Sequence, residues 1–283
     1  MESILLHDLG ALRLIGADAR RFLQGQVSAD VMQLTAGRCL LAGYHNPQGR
    51  VIALLRLIEH SPDEILAVLP RELALTVATR LAKYILRAKV TLTDISASIS
   101  IHGLATADDS EPPAVGAEST LARVGTHPSR WLMVSPGATT PGAAADGQRW
   151  RSFEVAAGEP QVYSATSEEF VAQMLNLDAL GAIAFDKGCY TGQEVIARAH
   201  YRGRVKRRMQ RFVTHAQQQL LPACSGRFAD GRSFKVVHAF KRADGTCEFL
   251  AVTALAAREE AQQEAAAAPL EASELPLPYA LPD

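Results

Sequence analysis

The thiol of Cys189 lies in the stretch "DKGCYTGQE", whose residue types favour a reactive cysteine. Residues 191–194 have the form of a capping box, which predicts a helix beginning near residue 192. Unpaired amide groups and the helix dipole at such a terminus favour an anion such as a thiolate. A cation nearby, here Lys187, lowers a cysteine pKa from about 8.5 toward 7 or below. The alternative is a buried structural cysteine in a tight turn, and the residues alone leave both interpretations open.

The remaining cysteines give no further site. Cys39, Cys224 and Cys247 form no C-x-x-C pair with each other or with Cys189, so the sequence predicts neither a zinc site nor a dithiol. We expect free thiols and no resident metal.

A basic run follows the thiol: seven of the fourteen residues in 198–211 are Lys or Arg, and none is acidic. Such a run is either a solvated face or edge strand, or a contact surface for an anion. The candidate anions are a phosphate, the glutamate tail of a folate, or RNA. RNA is the weaker candidate because only Tyr201 and Phe212 supply aromatic rings for base stacking.

The composition is that of an ordinary globular protein. Of 283 residues, 48% are hydrophobic and 21% charged, and the formal net charge is −1, which excludes a generally basic nucleic-acid coat. The N-terminal residues match neither a signal peptide nor a transit peptide, and no window has about 18 unbroken apolar residues. We expect a soluble, cytoplasmic protein without a membrane segment.

Strands and helices interleave without a regular βαβ rhythm, which predicts an α+β fold. Asp18 is expected to begin a helix, the turn at 46–49 to join two strands, and Pro70 to open a helix after the strand "EILAVLP". Residues 105–148 are predicted to be surface connections, interrupted by one strand, "RWLMVS". "KVVHAF" and "CEFLAVTAL" flank a turn and predict a small barrel or sandwich, and "LPLPYALPD" is expected to dock as a final strand.

The motif "KGCYTGQE", followed by "ARAHYRGRVKRR", closely resembles the signature of the YgfZ family. Members are folate-binding proteins linked to iron–sulfur cluster assembly or repair and to tRNA modification. Four further blocks resemble the family in order: "GADARRFLQGQVSADV", "NPQGRVIALLRL", "LAKYILRAKVTLTD" and "PLPYALPD". The resemblance implies a three-lobed ring like that of the aminomethyltransferase T-protein, with two α+β lobes in residues 1–204 and an antiparallel β-barrel in 205–283.

The resemblance also implies a folate site. The family's folate is thought to rest against two aromatic side chains, and the matching positions in this chain are Trp150 and the aliphatic Leu9. The family's R-I-x-x-G-x-P segment begins here with Glu154, so a positive contact is absent. The T-protein's acidic pair is replaced by Ala53 and Leu54, which argues against aminomethyl transfer.

From this resemblance, we expect a monomeric folate-binding accessory protein for iron–sulfur enzymes. Cys189, helped by Lys187, is the expected functional thiol, in transient contact with a cluster or beside tetrahydrofolate. The expected cofactor-binding residues are Leu9, Trp150, Tyr190, Gly192, Gln193, Glu194, Arg198 and Arg202, and Arg204 is expected to extend the cationic face. The alternatives are a folate-dependent one-carbon transferase or demethylase, and an RNA-binding module that uses residues 198–211.

Overall fold

A computed structural model describes residues 2–106, 114–126, 129–137, 144–203, 205–215, 220–255 and 269–282. The strands are β1 (Glu2–Leu5), β2 (Leu9–Ile15), β3 (Cys39–His45), β4 (Val51–Ser61), β5 (Glu64–Pro70), β6 (Thr91–Asp94), β7 (Ile99–Thr106), β8 (Thr120–Thr126), β9 (Ser129–Pro136), β10 (Arg207–Thr214), β11 (Ser225–Arg227), β12 (Ser233–Lys241), β13 (Cys247–Ala254) and β14 (Ser273–Leu275). The α-helices are α1 (Ala19–Gln24), α2 (Arg71–Ala82), α3 (Ala144–Ala156) and α4 (Gln193–Tyr201). No helix in the described ranges is long and apolar enough to cross a membrane.

The first sheet has the order β3-β4-β5-β2-β6, with antiparallel neighbours. The predicted hairpin is confirmed: the 46–49 turn joins β3 to β4, and Gly49 there adopts φ 72°, which favours glycine. Helix α2 also begins as predicted, directly after Pro70. The apolar run of β4 is buried throughout residues 51–58, as expected for a strand covered on both faces.

The second sheet has the order β1-β7-β9-β8 and corrects one prediction. The strand predicted from "RWLMVS" is confirmed as β9, but the rest of 105–148 is not mainly surface connections, because β8 and part of α3 also lie in this range. The sequence pattern did not predict β8 because its residues alternate only weakly between apolar and polar and because proline, glycine and alanine are frequent on either side of it. Of the range predicted as connections, residues 107–113, 127–128 and 138–143 lie outside the described residues.

The third sheet has the order β11-β12-β13-β10-β14, and its strands lie within residues 207–275. The predicted β12–β13 hairpin is confirmed. A closed barrel is not confirmed: β11 and β14 are the two edges of the sheet, and the segments beside them are linked by a parallel bridge between Phe228 and Leu270. The final segment docks, as the hydrogen bond from Tyr279 to the carbonyl of Gly158 shows, but the strand lies just before it, at 273–275.

One large core joins these parts. Leu54 of β4, Val155 of α3 and Val237 of β12 belong to the same cluster of buried apolar side chains. Smaller clusters lie between β2 and the second sheet, and among the phenylalanines of the third sheet. The strand-rich α+β class is therefore confirmed, whereas a domain boundary near residue 204 stays a prediction.

Candidate functional site

The loop that carries Cys189 leaves the side chain exposed. Helix α4 begins at Gln193, one residue later than expected, and its cap is Gly192. The predicted capping box led by Thr191 is therefore wrong, and no side chain caps this helix. Gly192 has φ 84°, and a Cβ there would lie 2.6 Å from the carbonyl oxygen of Asn46. Close packing against the β3–β4 turn thus requires a glycine at this position.

Lys187 links the same loop by hydrogen bonds to residues 27–29, in the segment before β3. Its Nζ donates hydrogen bonds to the carbonyl oxygens of Val27, at 2.8 Å, and Ala29, at 2.7 Å. Burial lowers the pKa of Lys187 to about 8, and the nearby Asp30 carboxylate opposes this only in part. The ammonium group of Lys187 thus donates hydrogen bonds to two backbone carbonyl oxygens. That Lys187 lowers the pKa of Cys189 stays a prediction.

Two aromatic side chains pack beneath the loop. The buried ring of Tyr190 lies 6.2 Å from that of His45, centroid to centroid, and Lys187 Nζ lies 5.2 Å from the centre of the Tyr190 ring. The side chain of His45 is buried, and neither ring nitrogen makes a hydrogen bond of ordinary geometry. Burial lowers the pKa of His45 to about 3, opposed only weakly by the backbone of Gly49. Tyr190 and His45 thus support the loop as neutral, packed groups.

The basic run is not one continuous contact surface. Arg208 is buried and donates to both carboxylate oxygens of Asp178, each at 2.9 Å. Arg211 pairs with the buried Glu248. These two arginines pair within the fold, so neither of the two predicted roles of the basic run, a solvated face or a contact surface for an anion, applies to them. Arg207 also bonds within the third sheet, to Ser233.

The remaining cations of the run differ in position. Arg198 and Arg202 are exposed on or directly after α4, as is Lys206 before β10. Arg204 lies outside the described residues. Of the other predicted loop residues, Gln193 is half-buried and Glu194 is exposed in the first turn of α4. Of the described cations of the run, the exposed ones are thus Arg198, Arg202 and Lys206, between the middle of α4 and the start of β10.

Trp150 and Leu9 meet, as the predicted folate wall requires. Trp150 lies on α3, only 3% exposed, with the Arg130 guanidinium 5.5 Å from its ring centre. Leu9 opens β2, and both residues line one small cavity. Its volume of about 10 Å³ is close to the space of a single water, so it does not hold a pterin ring by itself. Contact of either residue with folate stays a prediction.

A much larger cavity of about 840 Å³ lies beside it, and Arg151 and Tyr163 line both. The larger cavity is lined by Glu72, Gln148, Arg151, Tyr163, Ser164, Ala165, Leu220, Leu221, Pro222, His238, Ala239, Phe240, Lys241, Gly245 and Cys247. Arg151 donates to Asp8 at 3.0 Å, but its buried Nε has no hydrogen-bond partner. The wall therefore combines apolar surface with a partly exposed cation, the guanidinium group of Arg151.

A chain of hydrogen bonds runs from this cavity into the core. Tyr163 Oη lies 2.9 Å from His238 Nδ1, and His238 Nε2 lies 3.1 Å from Glu154 Oε2. Arg56 donates to the other oxygen of Glu154 at 2.8 Å. Burial by itself would raise the pKa of Glu154, but Arg56 and His238 outweigh it and bring the pKa to about 2. Glu154 is thus an ionised carboxylate that accepts from both neighbours.

Sequence reasoning missed Tyr163 and His238. The only available signal was a histidine within the otherwise apolar strand "KVVHAF", where a bulge between Val236 and His238 shifts the alternation. Cys189 does not occur among the described residues that line either cavity. The structure thus brings Trp150 and Leu9 together but not the thiol with them.

Metal ligands and catalytic carboxylates are the two remaining features to consider. In the ranges that the structure describes, no group of three or more His, Cys, Asp or Glu side chains could hold a metal ion. Ala53 and Leu54 are fully buried in β4. Neither presents a carboxylate, so no observation favours the one-carbon transferase alternative.

No family model matches the chain. The chain is similar to curated proteins named "tRNA-modifying protein YgfZ". One from Enterobacter sp. (strain 638) is 34% identical over 72% of this chain and 69% of the relative. Another, from Pectobacterium carotovorum (strain PC1), is 33% identical over 76% and 71%. A crystal structure of the glycine cleavage system aminomethyltransferase T from Bartonella henselae superposes with a TM-score of 0.66 at 11% identity, covering 89% of this chain and 78% of that chain. At this identity, the superposition establishes a T-protein-like fold and no more.

Proposed function

Because the chain belongs to the YgfZ family, we propose that it is a cytoplasmic folate-binding accessory protein. It would support the assembly or repair of iron–sulfur clusters in iron–sulfur enzymes, including tRNA-modifying ones. Cys189 would supply the functional thiol, with the cluster as cargo rather than as a resident cofactor. Tetrahydrofolate or a derivative would be the bound cofactor.

The cavity of about 840 Å³ carries the proposal of folate binding. Its volume lies within the range of small-molecule sites, which are mostly apolar with a few polar groups in fixed positions. Tyr163 and Phe240 supply aromatic surface, and Lys241 and the guanidinium group of Arg151 supply positive charge. A folate has matching parts: a flat heteroaromatic ring and an anionic glutamate tail. The residues present therefore fit the cofactor.

Folate binding is tested by anaerobic calorimetric titration of the full chain with tetrahydrofolate. We expect saturable binding that weakens about tenfold or more in Arg151→Leu, because a charge-assisted hydrogen bond to the ligand is lost. Arg13→Leu is the matched control, since Arg13 pairs with Glu64 on the first sheet and lines neither cavity. No binding by the unmodified protein would refute this part of the proposal.

The role of Cys189 is tested in a deletion strain. Of the four free cysteines, only Cys189 has an exposed side chain, so its thiol can contact a cluster on a partner protein. We expect Cys189→Ser to lose cluster-dependent tRNA thiolation, measured by nucleoside mass spectrometry. Cys224→Ser, which changes a half-buried thiol, is the matched control and should restore thiolation. Full activity of Cys189→Ser would refute the role of the thiol.

A second candidate function, direct contact with tRNA, is favoured by the surface of α4. Tyr201 is 69% exposed, and the rings of Phe185 and His200 stack with centroids 3.9 Å apart. Exposed Arg198 and Arg202 flank these rings, so bases and phosphates would both find partners. The binding would fall steeply with salt and would drop in Arg198→Gln/Arg202→Gln. No tRNA binding at low salt would remove this candidate.

A further inference from the structure

The end of α2 and the turn that follows it carry a second basic segment, which none of the sites above uses. Residues 73–93 contain four Lys or Arg residues and no Asp or Glu. Of the four, Arg80 pairs with Glu168, whereas Lys83 and Arg87 are exposed and form no ion pair with any described residue. Two cations at this end of the helix are thus available to an anionic partner.

Large apolar side chains are exposed beside these cations. Leu75 is 73% exposed, Tyr84 is 50% exposed and Leu86 is 86% exposed. They are three of the eight large apolar side chains exposed in the described ranges, so their position within residues 75–86 makes a patch rather than scattered exposures. We call these three residues, together with Lys83 and Arg87, the α2 patch.

The mixture of aliphatic groups and cations favours a protein as the partner. RNA-binding surfaces use rings to stack on bases and cations to contact phosphates, and exposed leucines serve neither purpose. A helix that lies on a membrane needs a continuous apolar face, whereas α2 buries its apolar stripe in the core. Protein interfaces combine apolar anchors with Tyr and Arg in this way. Complementary charge on such a partner calls for acidic groups.

A short series of contacts connects the end of α2 to the loop of Cys189. Arg80 lies 2.7 Å from one carboxylate oxygen of Glu168, and the other oxygen accepts a hydrogen bond of 2.7 Å from the side chain of Asn46. The carbonyl oxygen of Asn46 is the atom against which Gly192 packs. An interface of standard size buries about 800 Å² of each partner, which is enough to cover both the α2 patch and the exposed thiol.

We propose that the α2 patch is the docking surface for the iron–sulfur protein that Cys189 serves, and that this partner presents an apolar patch with an acidic rim. The inference rests on the proposed function and adds the place where the partner binds. Tyr84 and Leu86 enter the apolar patch of the partner, and Lys83 and Arg87 face its acidic groups. The thiol then lies within the same interface.

Photocrosslinking in living cells tests the identity of the partner. Benzoylphenylalanine in place of Leu86 should crosslink the full chain to an iron–sulfur protein, at a peptide that contains Asp or Glu, as mapped by mass spectrometry. The same probe in place of Leu221, which is 50% exposed beside the cavity of about 840 Å³, should not give this product. Equal yields from both positions would overturn the inference. So would crosslinks from position 86 only to RNA, to lipid, to a second copy of this chain or to proteins without clusters.

Charge reversal in a deletion strain tests the contribution of the cations. Arg87→Glu and the control Arg38→Glu are matched, because both arginines are exposed and form no ion pair with a described residue. With expression titrated, Arg87→Glu should need about tenfold more protein than the unmodified chain to restore tRNA thiolation, because like charges weaken docking and a higher concentration offsets this. Arg38→Glu should need no more than the unmodified chain. Equal requirements for the two variants would overturn the inference.

Two further measurements separate a failure of docking from a failure of the proposed function. Arg87 lines neither cavity, so Arg87→Glu should keep the tetrahydrofolate affinity and the alkylation rate of Cys189 that the unmodified chain has. Loss of thiolation in Cys189→Ser together with an unchanged protein requirement in Arg87→Glu would overturn the docking surface alone. Full activity of Cys189→Ser would instead refute the proposed role of the thiol.

Discussion

Removing Arg208 should destabilise the protein far more than removing its exposed neighbours in the basic run. The side chains of Arg208 and Asp178 are only 3% and 4% exposed, and two hydrogen bonds of 2.9 Å join them. Arg208 also donates to the carbonyl of Gln173 at 3.1 Å. Arg208→Leu leaves a buried carboxylate and a carbonyl without this partner, which costs about 3–5 kcal/mol of unfolding free energy.

The assay is equilibrium urea unfolding followed by tryptophan fluorescence. Arg202→Gln is the matched control, because this exposed arginine of the same run should change the unfolding free energy by no more than about 0.5 kcal/mol. The double variant Arg208→Leu/Asp178→Leu should recover roughly half of the loss or more, since no charge remains buried alone. Equal stability of Arg208→Leu and Arg202→Gln would refute the assignment of Arg208 to the interior.

Three further predictions concern the thiol loop and its support. Burial lowers the pKa of His45 from 6.5 to about 3, so between pH 6.5 and 3 only the unfolded chain binds a proton on this imidazole. The free energy of unfolding should therefore fall as the pH drops from 6.5 toward 3, and it should fall less steeply in His45→Leu. Parallel urea-midpoint profiles against pH would contradict this. Gly192→Ala should lower the unfolding free energy by about 1–3 kcal/mol, because residue 192 has a positive φ and the added Cβ would collide with the carbonyl oxygen of Asn46. Gly188→Ala is the control and should cause no such loss, since no atom lies within 4 Å of its added Cβ. Equal losses in the two variants would contradict the close packing of Gly192 against Asn46. Iodoacetamide should alkylate exposed Cys189 at least about tenfold faster than Cys247, whose pKa burial raises, as mapped by peptide mass spectrometry; similar rates would contradict the different exposures.

The local elements could be predicted wherever turn chemistry and periodicity agree. Gly49 closes the β3–β4 turn, and Pro70 precedes α2, because glycine and proline restrict the backbone in ways that need no partner. The start of α4 was predicted within one residue, but its cap was not. Thr191 and Glu194 fit a capping box equally well on paper, and only packing against Asn46 selects Gly192 as the cap.

The features of the candidate site also fall into two groups, those set by neighbouring residues and those set by partners distant in the chain. The sequence alone determined a thiol before a helix, two strand hairpins and a dense basic run, because these features depend on residues close together in the chain. Only the tertiary structure decided that Arg208 is an interior residue, since its partner Asp178 lies 30 positions away. Likewise Glu154 and Tyr163 reach His238 across 84 and 75 positions. A buried polar group must find its partner wherever the packed chain places one, and local sequence patterns carry no record of that position.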